Sequence, residues 1–310
     1  MRTAAGDIVR FVPVSRGSRP SRLSTTGSAA AVGALATVLA GRVLDRWPPL
    51  GPARWARSNH AGDPVTLLEG PQVVIGTAVV TVATGVPVAA LGALLAGGLG
   101  LLDDLTGDSS SKGLGGHLGA LRGGRVTTGT VKVLGLAGTG LVVGLAARRG
   151  TLGPGRRPPQ GWVAGGSALQ VLVDAGVVAG SANLVNLLDL RPGRALKVIL
   201  LLGAPLAATG STAAAAAVGA AVAALRRDLA GRAMLGDTGA NALGAVLGTA
   251  AVDRLPAAGR WVLLSGLVAL TLASERVSFT AVIDRTPVLR AIDGWGRRPA
   301  EPVSSSRPPR

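Results

Sequence analysis

Apolar residues in this chain come in long blocks rather than in stripes. Runs rich in Ala, Val, Leu and Gly occupy 26–44, 71–86, 87–102, 129–147, 162–182, 196–210, 211–225, 239–253 and 257–274. Each approaches the about 20 residues that a helix needs to cross a bilayer. Polar segments separate them at 1–25, 45–70, 103–128, 148–161, 183–195, 226–238 and 275–310. The pattern predicts an all-α fold: a polytopic transmembrane helical bundle of about nine to ten spans. It divides the chain into a basic N-terminal arm (1–25), a transmembrane domain (26–275) and a tail (276–310) whose Pro-, Ser- and Arg-rich end favours disorder. No fixed period repeats along the chain.

Composition sharpens that picture. Of 310 residues, 48% are hydrophobic and only 15% charged, against about 25% charged in soluble domains. Aromatics are scarce and tyrosine is absent. Small apolar side chains would fill a soluble core poorly, but they suit close helix packing in lipid. The net charge is +16, which in a soluble chain would suggest a nucleic-acid partner. Here the arginines stand between apolar runs and no basic stripe carries stacking aromatics, so membrane lipids are expected as partners and nucleic acid is not. The absence of cysteine excludes disulfides and thiol nucleophiles, and two histidines, His60 and His117, argue against a His-rich zinc site. The N-terminus has no short apolar run with a cleavage site, so no signal peptide is expected.

Alternating the spans places 45–70, 103–128, 183–195, 226–238 and 275–310 on one side. That side carries Lys112, Arg122, Arg125, Arg191, Arg194, Lys197, Arg226, Arg227 and Arg232, and the positive-inside rule makes it cytoplasmic. The arginines of the arm and of 148–161 fall on the other side, against that rule.

Three polar clusters join apolar runs on the common side. The first, Leu101-Leu102-Asp103-Asp104-Leu105-Thr106-Gly107-Asp108, sets two adjacent carboxylates at a helix end; a solvated turn is the plain alternative. The second is Asn183-Leu184-Val185-Asn186-Leu187-Leu188-Asp189, followed by Leu190-Arg191-Pro192-Gly193-Arg194. Its amides and acid recur every third residue and share a helix face. Pro192 and Gly193 explain why a helix would stop there and leave the amides unexplained. The third, Met234-Leu235-Gly236-Asp237-Thr238-Gly239-Ala240-Asn241, puts a carboxylate between glycines at the start of an apolar helix. That position suits an ordinary N-cap or a residue facing an anionic ligand. Together the clusters place Asp103, Asp104, Asp189 and Asp237 on one membrane face with basic residues nearby. Carboxylates without imidazole or thiol suit a hard cation such as Mg²⁺, and Mg²⁺ among basic residues suits a phosphate-bearing substrate. Asp174, inside the fifth run, stands apart; an intramembrane acid calls for either a function or a partner within the bundle.

In this order and spacing, the three clusters resemble the polyprenyl-phosphate N-acetylhexosamine-1-phosphate transferase superfamily, over roughly residues 55–285. That superfamily includes the phospho-N-acetylmuramoyl-pentapeptide translocase of peptidoglycan synthesis and the UDP-GlcNAc:undecaprenyl-phosphate transferases. Asp103 and Asp104 match the family's paired aspartates. Asn183, Asn186 and Asp189 match its Asn-x-x-Asn-x-x-Asp element, and Asp237 its magnesium-binding Gly-Asp aspartate. The run Trp55-Ala56-Arg57-Ser58-Asn59-His60-Ala61-Gly62-Asp63-Pro64-Val65 is similar to the family's first cytoplasmic loop, with His60 where a lysine is expected. The chain departs from the family at Pro192, where another aspartate is usual, and at Met234, where an aromatic is often found. It also lacks the late His-rich loop, and a tenth span is not evident.

The resemblance implies an Mg²⁺-dependent phospho-sugar transferase of the plasma membrane, working at its cytoplasmic face in cell-wall or surface-glycan synthesis. Its partners would be a UDP-sugar donor and a polyprenyl-phosphate acceptor, with room left for a homodimer. It would transfer a sugar-1-phosphate, of N-acetylhexosamine type, and release UMP. In that reading Asp237 holds the metal, and Asp103 is the general base with Asp104 supporting metal or water. Asn183, Asn186 and Asp189 bind substrate, and Lys112, Lys132 and Arg194 hold phosphate oxygens. A covalent aspartyl route stays open. The alternative is a divergent membrane protein of the same fold that acts as a transporter or a non-catalytic scaffold.

Overall fold

Backbone N–H and C=O groups that enter lipid must be satisfied within the chain, and helices accomplish this segment by segment. A computed structural model describes residues 22–58, 62–106, 128–148 and 168–297. These residues form eleven helices: α1 (Arg22–Arg46), α2 (Glu69–Ala83), α3 (Pro87–Thr106), α4 (Thr128–Arg148), α5 (Ala168–Leu188), α6 (Arg194–Ala208), α7 (Thr212–Leu229), α8 (Gly236–Arg254), α9 (Ala257–Ser274), α10 (Phe279–Arg285) and α11 (Pro287–Gly294). Five segments are long and apolar enough to cross a membrane: Thr25–Arg46, Pro87–Thr106, Thr130–Arg148, Ala168–Leu188 and Ala257–Ser274. The protein is a helical, membrane-embedded one. The arm up to residue 21, Lys112, both histidines and the tail from 298 onward lie outside the described residues.

The nine apolar runs fall on α1 to α9, with one informative shift. The fifth helix continues to Leu188, so 183–188 is helix rather than a connecting segment. It continues because Asn183 and Asn186 find partners on other helices, as described below. Between α1 and α2 an antiparallel hairpin forms from β1 (Ala56–Ser58) and β2 (Pro64–Thr66). It is stitched to the chain before α8, where Thr66 N–H donates to Arg232 C=O at 3.3 Å and Met234 N–H to Thr66 C=O at 3.0 Å. Trp55 seals the hairpin's base; it packs with Leu67, Leu68, Leu44, Leu101 and Met234, and its indole N–H donates to Pro49 C=O.

Helix α8 is the axis of the bundle. It is buried without a break from Thr238 to Val252 and packs on α2, α3, α5, α6 and α7. A helix enclosed on all sides cannot be amphipathic, and α8 is instead built of Gly, Ala, Thr, Val, Leu and one Asn between its charged ends. Small residues let backbones approach closely. A methyl at Gly244 would lie 2.6 Å from Ala182 Cα, and one at Gly248 would lie 2.8 Å from Val178 Cα, both on α5.

Gly244→Ala is therefore expected to destabilise the protein by about 1–3 kcal/mol through overpacking at the α5–α8 crossing. Gly98→Ala, at a position with open space around it, should be neutral or slightly stabilising. Thermal unfolding of the two variants in one detergent compares them directly; equal effects would show that close approach at Gly244 does not limit the packing.

Candidate functional site

The chain's polar clusters meet at one end of the bundle. The C-terminus of α3 brings Asp103 and Asp104, the N-terminus of α4 Lys132, the C-terminus of α5 Asn186 and Asp189, and the N-terminus of α8 Asp237. Arg227, near the end of α7, pairs with Asp45 on α1 at 2.6 Å at the same end.

Asp104 builds the junction. The first N–H groups of a helix lack partners within it, and the residue before α8, Leu235, offers no side-chain acceptor. Asp104 reaches across from α3 instead. Its carboxylate accepts from Asp237 N–H at 3.0 Å, Thr238 N–H at 2.9 Å and the Thr238 hydroxyl at 2.6 Å. The arrangement needs glycine twice. A methyl at Gly100 would overlap the Asp237 carbonyl. Gly236 has φ 59°, and a methyl there would lie 2.9 Å from the Asp104 carboxylate. From the hairpin, the Arg57 guanidinium donates to the Asp104 backbone carbonyl, closing the free end of α3.

Asp237, held at this junction, faces Lys132 and Asn186. The Lys132 ammonium donates to Asp237 and, at 2.8 Å, to the Asn186 side-chain oxygen; the Asn186 amide N–H₂ donates to the other Asp237 oxygen at 2.6 Å. Asp103 lies beside them, its carboxylate 3.7 Å from the Lys132 nitrogen and close to the Asp237 carboxylate. Asp103, Asp237 and Lys132 are all partly exposed, so the group is open to a ligand. Asp189 lies close by, near the Gly236 N–H at the start of α8.

Other residues expected at the site lie elsewhere. Asn183 donates to the Thr271 hydroxyl on α9 at 3.2 Å, a turn away from Asn186. Arg194 is buried in a two-pronged pair with Asp293 on α11, at 2.7 and 3.1 Å, and also donates to Thr280. That guanidinium joins α6 to the C-terminal helices, away from the carboxylates. Lys112 falls outside the described residues. Asp174 has its partner within the bundle, Arg260 of α9, at 2.9 Å.

Sequence reading missed three participants. Thr238 sits in the quoted Gly-Asp-Thr-Gly run, where a hydroxyl beside a helix start was a usable signal. Arg57 sits in the quoted first loop, but its reach to α3 depends on the hairpin. Glu69 was invisible: at the start of α2 it reads as a solvated acid, yet it is buried near Asp228 and Asp189 with no hydrogen-bond partner for either carboxylate oxygen among the described residues.

No three or more acidic, His or Cys side chains are grouped to hold a metal among the described residues. The oxygens that do converge are those of Asp103, Asp237 and Asn186, and the Lys132 ammonium touches all three side chains. A donor set of two carboxylates and one amide fits Mg²⁺, which keeps much of its shell as water and substrate phosphate. The chain matches no protein-family model and no curated protein.

Burial pushes the Asp189 carboxyl well above the usual carboxylate range, and the negative charges of Asp228, Asp237 and Asp104 push it further; the Gly236 N–H opposes them. A carboxyl raised on folding contributes stability below its unfolded value, about pH 3.9, and that contribution is lost as pH rises through the folded value. Asp189→Asn is therefore expected to gain in melting temperature relative to the native protein on going from pH 4.5 to pH 8, measured with chelator present. A difference that does not change with pH would contradict the assignment. Separately, Asp104→Ala should cost about 1–2 kcal/mol as a lost cap, whereas Asp103→Ala, which removes no cap, should unfold close to the native temperature.

Proposed function

We propose that this protein is an Mg²⁺-dependent transferase of about nine to ten spans that moves a sugar-1-phosphate, of N-acetylhexosamine type, from a UDP-sugar to a polyprenyl phosphate at the cytoplasmic face of the plasma membrane. The observation that carries the reading is the convergence of three elements far apart in sequence. Asp103, Asn186 and Asp237 meet around Lys132, with Asp104 and Asp189 at the adjoining start of α8, as a site for anionic phosphates and a cation requires.

In this reaction an oxygen of the lipid phosphate attacks the sugar-bearing β-phosphorus. The bond from that phosphorus to the bridging oxygen breaks, and UMP leaves with the oxygen. Asp237, with Asn186 beside it, would hold Mg²⁺, which when bound offsets the charge of the pyrophosphate. Asp104 fixes the start of α8, and with it the Asp237 backbone, so that the metal-holding carboxylate is preset. Asp103 is the freer acid of the pair, with no cap to make, and it takes any proton left on the attacking phosphate. Lys132 pairs with Asp103 and Asp237 and would hold a phosphate oxygen of the substrate as a point charge. The α8 N-terminus adds its own preference for anions. The apolar helix flanks around the site suit a polyprenyl chain.

The test is UMP release by the purified protein in lipid, with a polyprenyl phosphate and a panel of UDP-sugars, with and without Mg²⁺. Turnover is expected with Mg²⁺ and at least one donor. Asp103→Asn should lose about 10²–10⁴-fold in rate, and Asp237→Asn should lose activity while still folding, with extra Mg²⁺ restoring at most a part. No UMP from any donor, or an Asp237→Asn protein with native rate and Mg²⁺ dependence, would overturn the reading.

A further inference from the structure

The C-terminal helices pose a packing problem that the site does not explain. Helix α11 has eight residues, and the one buried among them is Asp293. A helix this short is marginal in water on its own, and most helical stability comes from burying an apolar face. Here the apolar face points outward: Val288 is 68% and Trp295 72% exposed, and Leu289 and Ile292 are exposed too. At 100° per residue Val288, Leu289 and Ile292 lie within about 100° of arc, with Arg290 on the opposite side. Helix α10 buries no residue at all.

Polar contacts attach the pair from the other side. Arg194 grips Asp293, Arg297 pairs with the same carboxylate at 2.9 Å, and Lys197 donates to the Ile292 and Asp293 carbonyls at 3.0 and 2.7 Å. These bonds fix the rotation of α11 and leave its apolar side uncovered. Helix α9, which leads directly into this segment, is long and apolar enough to cross a membrane. It lies at the bundle's edge, with two buried residues, Arg260 and Leu267, and a flank of Trp261, Val262, Val268, Leu270 and Leu272 exposed. The uncovered face therefore continues from a lipid-facing flank to the polar end of the bundle, where headgroups begin. Arg285, at the end of α10, and Arg290, across α11 from the apolar face, are exposed, and Trp295 is a residue type that favours the bilayer interface.

We propose that α10 and α11 dock on the surface of an anionic membrane, lying in the plane of the interface with Val288, Leu289, Ile292 and Trp295 toward the acyl chains and Arg285 and Arg290 among the headgroups. Short amphipathic helices with basic flanks bind membranes in this way, and each basic residue near an anionic surface strengthens the attachment. The proposal is independent of the transferase reading and holds whether or not the protein is an enzyme.

The chain has no cysteine, so single probes can be placed cleanly in the full-length protein. Val288→Cys, Ile292→Cys and Arg290→Cys, each labelled with an environment-sensitive fluorophore, would be reconstituted in nanodiscs of phosphatidylcholine with or without phosphatidylglycerol. Probes at 288 and 292 should shift to the blue and lose emission to a lipid carrying a nitroxide high on its acyl chain, and the probe at 290 much less. The loss should be larger with phosphatidylglycerol, and Arg285→Gln in each labelled protein should reduce that dependence. Water-like emission at 288 and 292 would overturn the proposal. So would shielded probes that lipid nitroxide does not quench but that crosslink between two chains, because a second copy would then cover the face. Equal quenching in both lipids, unaffected by Arg285→Gln, would overturn the assignment to an anionic surface.

Discussion

A helix buried on every side still has to begin somewhere, and its first N–H groups must find acceptors there. In this protein the acceptor is Asp104, a residue 133 and 134 positions away in sequence from the groups it caps and carried on a different helix. That one carboxylate joins the end of α3 to the start of α8. The glycines at 100 and 236 exist at this junction because the join is too close for any side chain. Asp237 then emerges at a fixed height beside Asp103, and Lys132 and Asn186 close around it. The site follows from the need to terminate the central helix without water.

The same economy governs the rest of the bundle. Because α8 has no solvent face, its neighbours close on it with small residues at the tightest crossings and with Val73, Val178, Leu196 and Ile199 filling the space between. The chain's high positive charge is spent in part on internal ties. Arg57 closes α3, Arg194 and Lys197 bind α11, Arg227 reaches α1, and Arg254 donates to the Thr209 and Gly210 carbonyls at the far end.

Much of this was legible in the sequence. Blocks of apolar residues announced the helices, the shortage of large side chains announced close packing, and the three polar clusters pointed to the helix ends that meet. What stayed hidden depended on rotation and reach. Asn183 and Asn186 are identical in type and share a helix face, yet one turns to Thr271 and the other to Asp237. Asp103 and Asp104 are adjacent, yet one is a cap and the other is not. Arg194 stands next to the Asn-x-x-Asn-x-x-Asp cluster in sequence, yet its partner Asp293 lies 99 residues further on. No local pattern distinguishes such cases, because the deciding partner comes from elsewhere in the chain.

The ion pair between Asp174 and Arg260 has a consequence for how the chain is assembled. Each side chain is 1% exposed, and each sits on a helix long and apolar enough to cross a membrane. Released singly into lipid, a charged residue carries an insertion penalty of up to about 2.5–3.5 kcal/mol at mid-bilayer. Arg260 belongs to α9, whose helix–helix packing is with α5, and α5 carries Asp174. Within α5 itself Gln170 donates to the same carboxylate at 2.9 Å, so the acid has one partner on its own helix and gains its cation only when α9 packs against it. Charge thus matches the fifth helix to the ninth: either one alone would bring an uncompensated group into lipid, and together they bring none.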